Sequence, residues 1–399
     1  MKILHTSDWH LGHTLYEHDR TEEMRAFAVQ LCDIVRREQP DALLVCGDVY
    51  DRAAPPVAAH ELYVDTLLRL RSECPSMQLV VTAGNHDSKA SLQVEGRIWN
   101  QLGMRIIGQP ERTADGEVDW ERFIVAVEGK GYIIAVPHIY EQNYPSYNPD
   151  LPREQRKQAF FKHLADMVAE RNVDSLPVVM MAHLWAEGAQ GSNNPVGGLE
   201  ATRIGDMAAA DSGVDYLALG HIHQAQRVSD APVAWYCGSP LPTSFDSGGQ
   251  HGLLKVDVQH HGPVAVEHID IANPMPLLTL PAEPATFDEA INELAMIDSD
   301  QAGYLRLNLL RDGSRPADYV ERIMHAIEGK QLHYCTIALT DPPENPLPDT
   351  SPTLITFSEM QTKSPADIAA MHFAHVNTGG TLPDDWRQMI EELTNEPEP

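Results

Sequence analysis

Five times in its first 223 residues the chain runs through a short apolar stretch and stops on side chains that bind metal ions. The stops are Asp8 and His10, then Asp48 and Asp51, then Asn85, His86 and Asp87, then His183, and last His221 and His223. Each run is short and aliphatic, the pattern of a strand buried on both faces. Few folds bring five strand ends to one place. An open sheet with helical crossovers does so at the carboxyl edge of its strands, where ligand sites collect. Taken alone, Thr82-Ala83-Gly84-Asn85-His86-Asp87-Ser88 also reads as a turn, because Gly-Asn and His-Asp pairs are ordinary turn formers. The other four stops favour the metal reading.

Helical periodicity fills the intervals, over 21–38, 57–70, 88–102 and 153–171. Strands are expected at 1–5, 42–46, 78–82, 122–127, 131–136, 177–182 and 214–219, then at 233–237, 252–258 and 264–269. This alternation predicts an α/β fold, a two-sheet sandwich flanked by helices over 1–272. Prolines at 274, 276, 281 and 284 then punctuate the chain. A small α+β unit is expected over 276–341, with strands at 304–310 and 332–340 around a helix at 317–327. Residues 342–399 begin with a Pro-rich linker inside DPPENPLPDTSP, stiff by composition. Two short helices follow, at 365–375 and 383–393, joined through Asn377 to Gly380. Their apolar residues Ile368, Met371, Phe373, Trp386, Met389 and Ile390 bury either against the chain itself or against a partner helix.

Charge constrains the partners. The chain carries 29 Lys and Arg against 58 Asp and Glu, a net of −29. Residues 280–399 alone hold 7 basic and 21 acidic residues, a net of −14. Such a surface repels nucleic acid unless a local patch, a bound metal or a partner reverses the sign. The five cysteines are scattered without a CxxC pair, which argues against a disulfide framework or a zinc knuckle and for a reducing, cytoplasmic setting. No secretory signal and no apolar stretch of membrane-spanning length is present in the sequence, so no membrane is expected.

The ligand types narrow the metal. Carboxylates, imidazoles and one amide oxygen, with no thiolate, suit Mn²⁺, Mg²⁺ or Fe²⁺ better than structural zinc. Seven candidates (Asp8, His10, Asp48, Asn85, His183, His221 and His223) exceed one ion's needs and suffice for two if a carboxylate bridges. Asp48 is the bridging candidate, because it comes from a central strand. Asp8 and His10 are two apart, as are His221 and His223, so in extended chain each pair projects to one side. Two such ions can clamp a phosphate, and His86 is a candidate proton donor to the leaving oxygen.

D-x-H at 8–10, G-D-x-x-D at 47–51, G-N-H-D at 84–87, His183 and G-H-x-H at 220–223 stand in the order found in the metallophosphoesterase superfamily, the calcineurin-like phosphoesterases, which the chain resembles. The segments HTSDWHLG (5–12), GDVYDRAAPP (47–56), AGNHDS (83–88), LALGHIHQAQ (217–226) and YCGSPLPTSFD (236–246) are similar to a narrower group, bacterial DNA nuclease subunits that work with an SMC-like ATPase. The resemblance implies a metallophosphoesterase nuclease domain at 1–272, a capping domain at 276–341 and a C-terminal partner-binding segment within 342–399. It implies two Mn²⁺ ions, one held by Asp8, His10, Asp48 and His223, the other by Asp48, Asn85, His183 and His221. It also implies His86 as the catalytic histidine, double-strand exonuclease and single-strand endonuclease activity in DNA repair, and a homodimer within a heterotetramer. Archaeal members have a second histidine three residues after the bridging aspartate; here the residue is Asp51.

Other readings stay open. A metallophosphoesterase acting on small phosphodiesters or phosphoproteins would use the same ligands, and a lapsed structural subunit would not need them all. Asp87 is expected to cap the helix beginning near Ser88. His5 is expected to be a satisfied core histidine, Trp9 a packing residue, and His260 and His261 solvent-exposed turn residues. His13 and Arg52 are secondary candidates for touching a phosphate, and His138 has no assigned role.

Overall fold

The computed structural model describes residues 1–148, 150–191, 201–209, 211–342, 364–376 and 381–395. The first strand, β1 (Lys2–Thr6), is followed by a hairpin of two short strands, β2 (Thr14–Leu15) and β3 (His18–Asp19). Then come α1 (Thr21–Glu38), β4 (Ala42–Cys46), α2 (Val57–Glu73), β5 (Gln78–Thr82), α3 (Lys89–Gln101) and β6 (Arg105–Ile107). A second run gives β7 (Ile124–Val127), β8 (Gly131–Ala135), α4 (Arg153–Arg171), β9 (Val178–His183), the single turn α5 (Ile204–Met207) and β10 (Tyr216–Gly220). Four strands close the sandwich: β11 (Gln226–Asp230), β12 (Val233–Tyr236), β13 (Gly252–Val258) and β14 (Val264–Asp270).

Two six-stranded sheets result, in the orders β14-β13-β1-β4-β5-β6 and β11-β12-β10-β9-β8-β7. Strands β1, β4, β5 and β6 run parallel, as do β8, β9, β10 and β12. The sheets meet through Ile3, Leu44, Cys46, Val80, Ile133, Val179, Met181, Ala218 and Val256, all fully buried or nearly so. On its far side the first sheet packs α1, α2 and α3 over Leu31, Leu67, Tyr63 and Trp99. The second packs α4 over Phe123, Phe160, Phe161 and Leu164. Every residue of β4 is therefore buried, which is why its sequence Ala42-Leu43-Leu44-Val45-Cys46 shows no alternation.

His5 reaches from the first sheet into the second. Its Nε2 donates to the Leu219 carbonyl at 3.2 Å, and its Nδ1 lies 3.0 Å from the Tyr216 hydroxyl. Complete burial pushes its pKa from 6.5 down to about 3. The folded chain thus refuses a proton that the unfolded chain accepts, and stability is lost as pH falls through the window from 6.5 towards 3. Between pH 6.5 and 5 this one group costs about 2 kcal/mol. Urea titrations of the wild type and His5→Gln at both pH values test it: the wild type should lose about 2 kcal/mol more than the variant. Equal losses would refute it.

After the sandwich the chain forms β15 (Leu277–Ala285), α6 (Phe287–Ala295), β16 (Gly303–Leu310), α7 (Tyr319–Ala326) and β17 (Leu332–Thr340). Both strand pairs are parallel, so two consecutive βαβ units replace the single one expected from sequence. Thr286 and Glu289 form a capping box at the start of α6. This sheet has its own core of Phe287, Leu294, Leu305, Leu307 and Ile323, yet it belongs to the same compact unit, 1–340, as the sandwich. Residues 341–399 form a second unit containing α8 (Pro365–Val376) and α9 (Asp384–Asn395). Phe373 of α8 meets Trp386 of α9 edge-on at 6.0 Å. The expected linker lies almost wholly outside the described residues, as does the turn at 377–380. Among the described residues no helix is long and apolar enough to cross a membrane.

Candidate metal centre

The carboxyl ends of β1, β4 and β5 in one sheet, and of β9 and β10 in the other, meet at one edge of the sandwich. Asp8, His10, Asp48 and His183 are all buried there, each less than 5% exposed. Hydrogen bonds between the loops fix their positions. The Asp8 amide donates to the Gly47 carbonyl at 3.0 Å, the His10 amide to the Asp48 carbonyl at 3.1 Å, and the His221 amide to the Asp8 carboxylate at 3.1 Å.

The backbone differs from the extended geometry that the i, i+2 spacing suggests. Asp8, His10, Asp48 and His221 all have positive φ, at 52°, 46°, 47° and 103°. Left-handed backbone is costly for side chains beyond glycine and persists only where the surroundings impose it. Glycines make room for the result. A Cβ on Gly84 would collide with the Asp48 carboxylate, and one on Gly47 with the His183 ring.

The donor atoms of the proposed ligands converge in two groups, Asp8, His10 and His223 in one and Asp8, Asp48 and His183 in another. A third group at the same edge joins His10 to Asp51 and His86. His10 Nε2 faces His223 Nε2 at 3.1 Å, and His223 Nδ1 is held by the Thr243 hydroxyl at 2.9 Å. The Asn85 side-chain oxygen lies 3.0 Å from His183 Nε2 and 2.9 Å from His221 Nδ1. Between the groups sits Asp48 Oδ2, 3.3 Å from His183 Nε2 and 3.8 Å from His10 Nε2, while Oδ1 accepts the His86 amide at 2.9 Å.

Electrostatics bear on what this arrangement can hold. Burial opposes charge on His183, but the Asp48 carboxylate outweighs it and pushes the pKa up to about 9. Burial likewise opposes ionisation of Asp48, and His183 and His10 hold it far below the usual carboxylate range. Protons on imidazoles therefore offset buried carboxylates. Two ring nitrogens in direct opposition, as in His10 and His223, need a proton or a cation between them. His183 Nδ1 donates to the Cys46 carbonyl at 2.8 Å, which leaves Nε2 as the nitrogen able to bind an ion. A donor set of carboxylate, imidazole and amide oxygen, buried and short of cations, fits divalent metal ions.

Around this core the remaining candidates divide. His86 Nδ1 donates to the Asp51 carbonyl at 2.8 Å, which leaves its Nε2 free, and its ring lies 4.9 Å from that of His10. The Asp51 carboxylate accepts from His13 Nδ1 at 2.9 Å and lies 3.5 Å from His10 Nδ1, and these two histidines hold it well below the usual carboxylate range. His13 gives its other nitrogen to the Thr243 carbonyl, so it aims at no free space, and Arg52 is exposed. Asp87 is not the helix cap. That role falls to Ser88, whose hydroxyl accepts the Ser91 amide. Asp87 is instead a buried brace that accepts the Gly84, Tyr50 and Val49 amides at 2.8, 2.9 and 3.1 Å and ties the β4 and β5 loops together. Burial and the nearby Asp48 charge push its pKa up to about 6 against those three bonds. Trp9 packs edge-on to Phe27 at 5.5 Å, as expected of a packing residue. His260 is only partly exposed and bonds Asp215 at 2.9 Å, while His261 is exposed.

Sequence reasoning missed Thr243 and the Asp87 brace, and it picked out His138 as a residue able to line the cleft without giving it a role. Thr243 lay within YCGSPLPTSFD without a pattern to single it out. His138 Nδ1 donates to the His183 carbonyl at 3.1 Å, and its buried Nε2 has no partner among the described residues.

A family model described as calcineurin-like phosphoesterase matches residues 1–225. The chain is 31% identical to the SbcD component of the SbcCD nuclease of Rhodobacter capsulatus, over 86% of its length and 88% of that protein. It is 27% identical to the SbcD component of the SbcCD nuclease of Escherichia coli K12, over 82% of its length and 81% of that protein. It is also 30% identical to the Bacillus subtilis protein of the same name, over 62% of its length and 64% of that protein.

Proposed function

The chain belongs to the calcineurin-like phosphoesterases and, within them, to the SbcD nuclease subunits, and from that premise we propose that it hydrolyses DNA phosphodiester bonds as part of an SbcC–SbcD-type repair complex. The observation that carries this reading is Asp48, whose single oxygen lies between two sets of nitrogen donors. Asp8, His10, Asp48 and His223 would hold one ion, and Asp48, Asn85, His183 and His221 the other. The oxygen- and nitrogen-rich donor set favours Mn²⁺, with Mg²⁺ or Fe²⁺ as alternatives. When bound, two such ions neutralise phosphate charge, make water a stronger nucleophile and stabilise the attacking and leaving oxygens.

The protein's own groups do the rest. Asp8 and Asp48 are fixed by backbone amides, so the donors do not reorganise when charge develops. The Asp51 carbonyl accepts the Nδ1 proton of His86, and in the imidazolium form Nε2 would carry the second proton, pass it to the leaving oxygen and leave the neutral Nδ1–H tautomer. Thr243 and the Cys46 carbonyl hold His223 and His183 in orientation. An SbcC-like, SMC-type ATPase is the partner, engaged by the 341–399 unit, where Trp386 and Met389 are 55% and 57% exposed. That partner would supply the DNA-binding surface that a net charge of −29 denies this chain. Two copies with two ATPases in a cytoplasmic complex complete the reading.

The test is cleavage of linear duplex and single-stranded DNA by the purified chain with Mn²⁺, alone and with the ATPase. Hydrolysis of small phosphodiesters without DNA cleavage under either condition would sink the nuclease reading and favour a small-substrate phosphoesterase.

A further inference from the structure

A cleft of about 560 Å³ opens directly from the metal centre, lined among others by Asn85, His138, Tyr140, Tyr144, Trp185 and His221. Two of the proposed ligand residues, Asn85 and His221, line it together with the rings of Tyr140, Tyr144 and Trp185, of which only Tyr144 is buried. Tyr140 is 49% exposed although it sits beside a catalytic edge, and Trp185 is only partly buried. Both rings are held in place. Trp185 stands edge-on to His221 at 6.2 Å and 78°, and Gly191 passes so close to it that a Cβ there would lie 2.9 Å from the indole. Tyr140 stands edge-on to His138 at 5.0 Å and 86°, and His138 is anchored on the His183 carbonyl.

A cation stands beside Tyr140: Lys89, with Tyr140 and His138, lines the adjoining pocket, while the charged residues lining the cleft itself, Lys157 and Glu141, pair with each other at 2.6 Å. Lys89 is the first residue of α3, where the helix dipole disfavours positive charge, and the first turn of that helix has no acidic residue. Its ammonium lies 4.0 Å from the centre of the Tyr140 ring, and no carboxylate within 4.0 Å pairs it among the described residues. A lysine that opposes its own helix and forms no ion pair among the described residues of so acidic a chain breaks a local rule, and such breaks concentrate at functional sites. Aromatic faces beside a basic group and a phosphate-handling centre are what unpaired nucleic acid binds.

Resting on the nuclease reading, we propose that this cleft receives one unstacked nucleotide next to the scissile phosphate, its base against Tyr140 and Trp185 and its neighbouring phosphate on Lys89. A base still paired in a duplex cannot enter, so the cleft selects single strands or frayed ends. Because every base has a flat face, the selection ignores sequence.

The experiment measures how strongly a dT decamer and a decamer of abasic deoxyribose phosphate inhibit hydrolysis of methyl p-nitrophenyl phosphate by the full chain with Mn²⁺. The dT decamer should bind more tightly than the abasic one by roughly 5- to 150-fold. Tyr140→Leu should remove most of that ratio while leaving turnover of the small ester within about 2-fold, Trp185→Ala should remove most of the ratio, and Trp185→Phe should keep it. Lys89→Gln should weaken both decamers alike. A ratio of one in the wild type, or a ratio untouched by both aromatic variants, overturns the proposal, and so does equal loss of small-ester turnover in Tyr140→Leu. The two ideas fail separately: a base-dependent ratio without DNA cleavage sinks the nuclease reading alone, and DNA cleavage with a ratio of one sinks the cleft alone.

Discussion

Asp48→Ala should bind neither divalent ion at full occupancy and should cleave DNA ~10⁴–10⁶-fold more slowly than the wild type, the range reached when a member of a catalytic unit is removed. The expectation follows from where its two oxygens are spent. Oδ2 lies within 4 Å of nitrogens from both donor groups, and Oδ1 accepts the amide of His86. Removing the side chain therefore takes an oxygen from each ion and loosens the loop that carries Asn85 and His86. Metal content per chain after dialysis, with a thermal melt to establish folding, decides the matter. One ion retained at full occupancy in the folded variant would show that Asp48 serves a single site.

His86→Gln should behave differently. Both ions should remain, because His86 belongs to neither set of proposed ligands, while turnover of DNA falls ~10²–10⁴-fold. The leaving group separates a proton donor from a structural residue. The sugar alkoxide released from DNA needs a proton, whereas p-nitrophenolate leaves without one. The variant should thus be crippled on DNA and close to wild type on a p-nitrophenyl diester. Equal losses on both substrates, or loss of metal, would make His86 a positioning residue for the loop it shares with Asn85.

The proposed ligands stand out in the sequence because each follows a strand long enough to show as an apolar run, and the five runs end alike. What the spacing could not show is how the ends turn. Asp8 and His10 suggest one face of an extended strand, yet both are left-handed, and their convergence comes from loop-to-loop hydrogen bonds to Gly47 and Asp48 that join distant segments. Asp87 looked like a cap because it precedes a helix. Only the structure reveals three amides from two loops pointing at it, while Ser88 does the capping. Most elements that escaped notice have weak local signals, although α6 escaped despite its capping box of Thr286 and Glu289. The hairpin strands β2 and β3 have two residues each, β11 is a polar edge strand, and β15 is interrupted by Pro281 and Pro284. Thr243 orients His223 from 20 residues away through a loop with no periodicity at all.

Four of the proposed ligand residues are left-handed, and they set the terms on which this protein can evolve or be engineered. Each is held in a conformation that glycine would adopt at less cost, so glycine at Asp8, His10, Asp48 or His221 would relax backbone strain of ~1–3 kcal/mol. At Asp8 and Asp48 that relief competes with the hydrogen bonds their carboxylates accept from the His221 and His86 amides. At His10 and His221 a selection for heat resistance alone would find gains at proposed ligand positions. Heat-tolerant variants that keep activity must instead be sought in the helices and edge strands far from that edge, and a library screened only by melting temperature will enrich for inert protein.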